Sequence, residues 1–193
     1  MEPLTTQTKL LEAANRVAAR DGVAKLTLDA VALEAGMSKG IILYHFHSKN
    51  ALIKAMIDHL IAKFELSFAE QALAWEEDVA PGHALRAMIR AQLPSPGDNP
   101  DDPSPALLAA VGNDPRLLDS LRARYAVWQE QIAGDGLDPA LATVLRLATD
   151  GLWVCELFGL APPTGAFRAE VIEKMLALAS PKSQNDENGS RKI

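Results

Sequence analysis

Between Thr27 and Lys49 the chain reads TLDAVALEAGMSKGIILYHFHSK, and the glycine and the cap residues in this stretch limit the fold more than any other part of the sequence. Thr27 stands where a helix N-cap belongs, with a hydroxyl able to accept an orphan backbone N–H. Leu28, Val31, Ala32 and Ala35 then recur at helical spacing. Gly36 can take the left-handed conformation at little steric cost and stops that helix, so the chain reverses before Ser38 caps the next one. Ala30, Ala32 and Ala35 offer a small-residue surface that the second helix can approach closely. Two short helices crossing steeply about a glycine turn make a helix-turn-helix.

The second helix, Ser38 to about Phe46, is too short to be stable alone and exists by docking Ile41, Ile42 or Phe46 onto a small core. Its other face carries Lys39, Gly40, Tyr44 and His45. Lysine suits phosphate oxygens, glycine lets a backbone come close to DNA, and tyrosine and histidine can bond to a phosphate or a base edge. Lys49 follows in the first turn of the next helix, beside Ser48 as its expected N-cap. Taken singly, each of these side chains also has a structural reading: a solvated lysine, a packed tyrosine, a satisfied histidine. Together they point to a helix that enters the major groove.

The residues resemble those of the TetR (tetracycline-repressor) family of regulators. The resemblance rests on an amphipathic first helix from about Thr6 to Asp21, the Gly22 stop, Leu26-Thr27-Leu28, the run from Ala35 through Gly36, Met37, Ser38 and Lys39 to Gly40, then Tyr44-His45-Phe46 and Ser48-Lys49. It implies an all-α fold with an N-terminal three-helix helix-turn-helix DNA-binding module at residues 1–48, followed by a helical ligand-binding and dimerisation body at 49–180. The same resemblance places Ser38, Lys39 and Gly40 at the groove-entering end, gives Tyr44, His45 and Lys49 to backbone contacts, adds a phosphate contact to the capping role of Thr27, and makes Phe46 a core anchor. Many members carry a tyrosine just before the aromatic-histidine pair. Here that position is Leu43, so a contact made there by others is missing or replaced.

Charge is distributed unevenly. Residues 1–54 hold seven Lys/Arg against five Asp/Glu, whereas the rest holds twelve against twenty, which makes the basic end coincide with the motif in a chain of net charge −6. An acidic body repels DNA everywhere except where the motif faces it. With 193 residues, 48% of them hydrophobic, the chain can bury a substantial core. The single cysteine, Cys155, cannot form an intramolecular disulfide and suits a reducing cytoplasm. Glu2 and the stripe Leu10, Leu11, Ala14, Val17, Ala18 do not read as a signal peptide. Arg146, Asp150 and Glu156 interrupt the most apolar later stretch, which argues against a membrane span.

Beyond the motif, breaks separate further helices: Ser48 to about Trp75, His83 to Leu93, Ala106 to Val111, Asp114 to about Ala133, Pro139 to about Gly159 and Ala166 to Ala179. The proline-crowded stretch 94–105 is expected to be a surface loop. Residues 181–193, almost without hydrophobes, are expected to be a disordered tail.

The last two helices carry stripes expected to form a homodimer interface: Leu141, Leu145, Ala148, Leu152, Cys155 and Gly159 on one, and Val171, Met175, Leu178 and Phe167 on the other. A symmetric dimer is also what a palindromic operator requires. Both stripes facing the protomer's own core is the competing reading. For a small-molecule effector, the candidate lining is Met88, Gln92, Tyr125, Trp128, Arg146, Asp150 and Trp153, aromatic rings and polar groups on facing helices that suit a neutral or weakly polar molecule. No cofactor is expected. Nor is an enzyme: His45, His47, His59 and His83 lack partners at metal-ligand spacing, and the chain has neither G-x-S-x-G nor a glycine-rich phosphate loop. A helical enzyme, or an adaptor using the motif for a protein partner, are the alternatives to a ligand-released DNA-binding repressor in the cytoplasm.

Overall fold

A computed structural model of the protein describes residues 5–74, 80–93, 110 and 114–181. Among the described residues there are eight α-helices, two short 3-10 turns and no strand. The expected loop at 94–105, all of the expected helix at 106–111 except Ala110, and all of the expected tail except Pro181 lie outside them.

Local chemistry sets the boundaries of the first four helices. Thr5 caps α1 (Thr6–Asp21) by accepting the Thr8 N–H at 3.1 Å, and α1 buries Leu10, Leu11, Ala13, Ala14, Val17 and Ala18. After a 3-10 turn at Val23–Lys25, Thr27 caps α2 (Leu28–Glu34) through the Ala30 N–H, also at 3.1 Å. Gly36 then adopts φ +65°, and the Met37 N–H reaches back to the Ala32 carbonyl at 2.9 Å, which satisfies a carbonyl left open at the helix end. Ser38 occupies the N-cap position of α3 (Lys39–His45) in extended conformation, but its hydroxyl makes no cap hydrogen bond. The first turn of α3 is closed by the Ser38 carbonyl instead, which accepts the Ile41 N–H at 3.0 Å. Ser48 does cap α4 (Lys49–Leu73), accepting from the Ala51 N–H at 3.1 Å.

The remaining helices are α5 (His83–Gln92), α6 (Asp119–Ala133, entered through the 3-10 turn Pro115–Leu118), α7 (Pro139–Phe158) and α8 (Gly165–Leu178). Contacts divide the chain into two compact units, one comprising residues 1–65 with 96–126 and the other 66–95 with 127–193. The first unit thus runs past residue 48 into α4, whose Leu52, Ile53, Met56, Ile57 and Ile61 are buried. Within this unit α1 and α2 are also joined by charge: Arg16 Nε and Arg20 NH1 donate to the two carboxylate oxygens of Glu34 at 2.9 and 2.7 Å. Hydrogen bonds from Arg20 first and Arg16 second hold the Glu34 carboxyl below the usual glutamate range. The pairs are exposed, so they orient the helices more than they stabilise them.

In the second unit α5 is the inner helix, packing on α7 and α8 with Leu85, Arg86, Ala87, Met88 and Ile89 buried. Its start is tied to the end of α8. The Arg86 guanidinium, 4% exposed, donates to the Ala179 carbonyl at 2.7 Å and the Pro81 carbonyl at 2.8 Å. Gly82 makes this approach possible: a Cβ there would lie 2.0 Å from the Ala179 oxygen, and φ is +87°. Asp135, in the turn after α6, accepts the Leu85 N–H on its side chain and the Gly82 N–H on its carbonyl, so that turn caps α5.

Candidate functional site

The helix-turn-helix assembles as a solid back and an open front. Val31 and Ala32 of α2 and Ile42 and Phe46 at α3 are buried, which docks both helices on the first unit's core. Ile41, by contrast, is 40% exposed. On the front Ser38, Lys39, Gly40 and Leu43 are exposed, and Tyr44 is 87% exposed, its ring edge-on to His45 with centroids 5.2 Å apart. An exposed tyrosine hydroxyl beside a histidine can donate outward, and phosphate oxygens and base edges are acceptors that it fits. Leu43, 44% exposed, presents only carbon on this front.

Three of the predicted DNA-contact residues already have partners within the protein. Thr27 spends its hydroxyl as an acceptor for the Ala30 N–H, which leaves its own O–H proton available to a phosphate. Lys49 Nζ donates to the Val23 carbonyl at 3.2 Å, bracing α4 against the turn before α2. Lys39 Nζ lies 2.9 and 3.0 Å from the two oxygens of Asp29 on α2. Sequence reasoning missed Asp29: it is ten residues from Lys39, and only the crossing of α2 and α3 brings the two together.

In the second unit, three of the seven predicted ligand-lining residues meet in one polar network. Gln92 of α5 donates to Asp150 Oδ1 at 2.9 Å, and Arg146 donates through NH1 to Asp150 Oδ2 at 2.6 Å and through Nε to Gln129 Oε1 at 2.5 Å. Gln129 in turn donates to Thr143 Oγ1 at 3.0 Å. The Arg146 and Asp150 side chains are only 14% and 19% exposed, so a charge-balanced polar cluster sits among apolar helices. Met88 and Trp128 are buried core side chains, Trp153 is half-buried, and Tyr125 belongs to the first unit. Gln129 was not anticipated; its signal was a long polar side chain on α6 next to the buried Trp128.

The predicted interface stripes coincide only in part with what the protomer leaves open: Ala148, Phe167 and Leu178 are exposed. Leu145, Leu152 and Met175 are covered within one protomer, at 3%, 8% and 6% exposure. Leu141, Cys155 and Val171 are half-buried, Leu178 is exposed, and Gly159 terminates α7 in left-handed conformation. The apolar face that remains on α7 is Val144, Leu147, Ala148, Gly151 and Phe158, with Phe167 and Leu178 on α8. Leu160 in the turn between them adds to it. Among the described residues no helix is long and apolar enough to cross a membrane, and no three metal-binding side chains come together.

Comparison with known proteins also distinguishes an N-terminal from a C-terminal part. Residues 10–56 match the family described as bacterial regulatory proteins, tetR family, and residues 82–180 match the tetracyclin repressor-like C-terminal domain. The HTH-type transcriptional regulator TtgR of Pseudomonas putida is 33% identical over 89 residues, 46% of this chain and 41% of that protein. The chain therefore spans less than half of TtgR's length. The HTH-type transcriptional regulator BetI of Pseudomonas aeruginosa is 27% identical over 168 residues, 80% of this chain and 82% of that one. Among solved structures, a TetR-family member from Streptomyces coelicolor superposes with a TM-score of 0.65 at 25% identity, covering 92% of this chain and 99% of its own.

Proposed function

Because the chain belongs to the TetR family of bacterial regulatory proteins, we propose that it is a transcriptional repressor that binds a palindromic operator as a homodimer and is released by a small-molecule effector. The observation that carries this reading is the two-sidedness of α3: Ile42 is 0% exposed and Tyr44 87%, so a seven-residue helix is anchored on one side and presents Ser38, Lys39, Gly40 and Tyr44 on the other. A second copy would meet the exposed apolar face of α7 and α8, and two such modules reach successive major grooves about one helical turn apart. Repression needs only occupancy of a promoter. A regulator of this kind works in the cytoplasm, where the DNA is.

The Gln92, Gln129, Arg146 and Asp150 cluster is the part of the body best suited to an effector. Its hydrogen bonds can be exchanged for those of a polar molecule, and α5 and α7 would shift as they exchange. Enrichment of duplexes from a random pool by the full-length protein, followed by salt-dependent gel shifts, tests the whole reading. The expected product is an inverted repeat bound by two chains. A pool with no enrichment, or an enriched site lacking two-fold symmetry, would refute it.

A further inference from the structure

The front of the helix-turn-helix carries a carboxylate, which is the wrong sign for a surface that meets phosphates. Asp29 lies in the first turn of α2, two residues from Thr27, and is 66% exposed at its side chain; Lys39, the first residue of α3, is 64% exposed and holds both Asp29 oxygens within 3.0 Å. A carboxylate near a helix N-terminus is favourable to α2, but any exposed acidic position in that turn would supply the same benefit. What is particular here is that the acid sits on the lysine most exposed at the groove-entering end. An exposed pair of this kind is weak and opens easily. It is nevertheless strong enough to bias where a flexible ammonium spends its time.

We propose that Asp29 is a specificity-determining residue, which holds Lys39 back from phosphates and so suppresses binding to DNA that offers nothing else. Non-specific duplex binds through phosphate neutralisation alone. On such DNA Lys39 must abandon a carboxylate to gain a phosphate, an exchange of one ion pair for another with little net gain. A cognate half-site offers base-edge acceptors on the groove floor, and an ammonium has three donors. Lys39 can then keep Asp29 and still donate to a base, such as guanine O6 or N7. The carboxylate therefore discounts the wrong DNA more than the right one. This inference rests on the DNA-binding reading above and adds to it a residue that contributes by restraint.

The experiment compares wild type, Asp29→Asn, Lys39→Ala and the double variant, with Asp29→Ser as a second replacement of the acid. Each is titrated with the duplex this protein enriches from a random pool and with a scrambled duplex of equal length, across salt. On scrambled duplex, Asp29→Asn and Asp29→Ser free one lysine per subunit and should steepen the salt dependence by about 0.9 per subunit, about 1.8 for a dimer; a fourfold rise in salt then costs the variant about twelvefold more affinity than wild type. On the enriched duplex the slope should stay nearly constant, so the ratio of specific to non-specific affinity falls. In the Lys39→Ala background that fall should vanish. Equal gains on both duplexes, or an effect that persists without Lys39, would reduce Asp29 to a plain negative charge and overturn the inference while leaving DNA binding intact. Failure to enrich any duplex would overturn the DNA reading itself, and this inference with it.

Discussion

Gly40 offers a way to separate what α3 needs for folding from what it needs for DNA. Its backbone is ordinary helix, with no positive φ, and a Cβ built there would meet only the Ser38 Oγ, at 3.8 Å, an ordinary van der Waals distance. Nothing in the fold requires a glycine at this position. In a helix interior glycine costs up to about 1 kcal/mol relative to alanine, so Gly40→Ala should stabilise the protein by a fraction of that, raising the melting temperature by roughly 1–3 °C for a chain of this size. DNA affinity should move the other way. If the α3 backbone lies against the duplex at Gly40, a methyl group displaces one close contact in each subunit. At on the order of 1 kcal/mol per contact, a dimer loses about 2 kcal/mol, or about thirtyfold in affinity. No charge changes, so the slope of affinity against salt should stay as in wild type. Thermal unfolding and fluorescence-anisotropy titration of one preparation give both numbers. A variant that binds as tightly as wild type would show that Gly40 is not where the backbone meets DNA, and a destabilised variant would show that α3 needs a glycine here to fold.

Lys49→Ala should weaken DNA binding and, with no DNA present, also cost about 1 kcal/mol of stability in urea unfolding, because its ammonium braces the Val23 carbonyl; unchanged stability would mean that the brace does not hold in solution. Leu147→Glu, at a residue that is 54% exposed, should leave the protomer folded but monomeric by light scattering, whereas Leu152→Ala, 8% exposed, should cost about 2–5 kcal/mol of folding stability. A dimer that survives Leu147→Glu would place the interface elsewhere. Burial first, and the Lys63 ammonium second, push the His59 imidazole on α4 below its ordinary value, with Glu12 opposing. The folded chain therefore resists a proton that the unfolded chain accepts, so stability should decline as pH falls through about 6.5 toward the lowered value; His59→Gln should flatten that decline in urea titrations at pH 7.5 and 5.5, and an unaltered decline would assign it to other groups.

The first four helices were legible because each boundary has its own chemistry. Gly22, Thr27, Gly36 and Ser48 act through backbone conformation or a hydrogen bond within five residues, and interactions that local can be read from the order of residues. Ser38 shows the limit even there: it has the right residue type and backbone, yet its hydroxyl makes no cap, since a position permits a bond without compelling it. Contacts across a turn are a different matter. Asp29 with Lys39, and Lys49 with Val23, depend on how α2, α3 and α4 cross, which no spacing encodes.

The polar body and the apolar face divide along similar lines. Gln92, Arg146 and Asp150 were chosen from sequence as polar groups that could line an effector site, and in the fold they hydrogen-bond to one another, as buried polar groups among apolar neighbours must. The face of α7 could not be chosen that way. Its Leu141, Leu145, Leu152 and Cys155 stripe and its Val144, Leu147, Gly151 and Phe158 stripe are both apolar, so periodicity allows either to point inward. What decides is the packing inside the unit: α5 packs on α7, and Leu145 and Leu152 are covered while Val144 and Leu147 remain open. A helix with two apolar stripes has two surfaces to cover. One of them is met inside the protomer, and the other still exposes Val144 at 60% and Leu147 at 54%, an apolar patch of the kind that marks an interaction surface, which is why Leu147→Glu is the substitution that tests it.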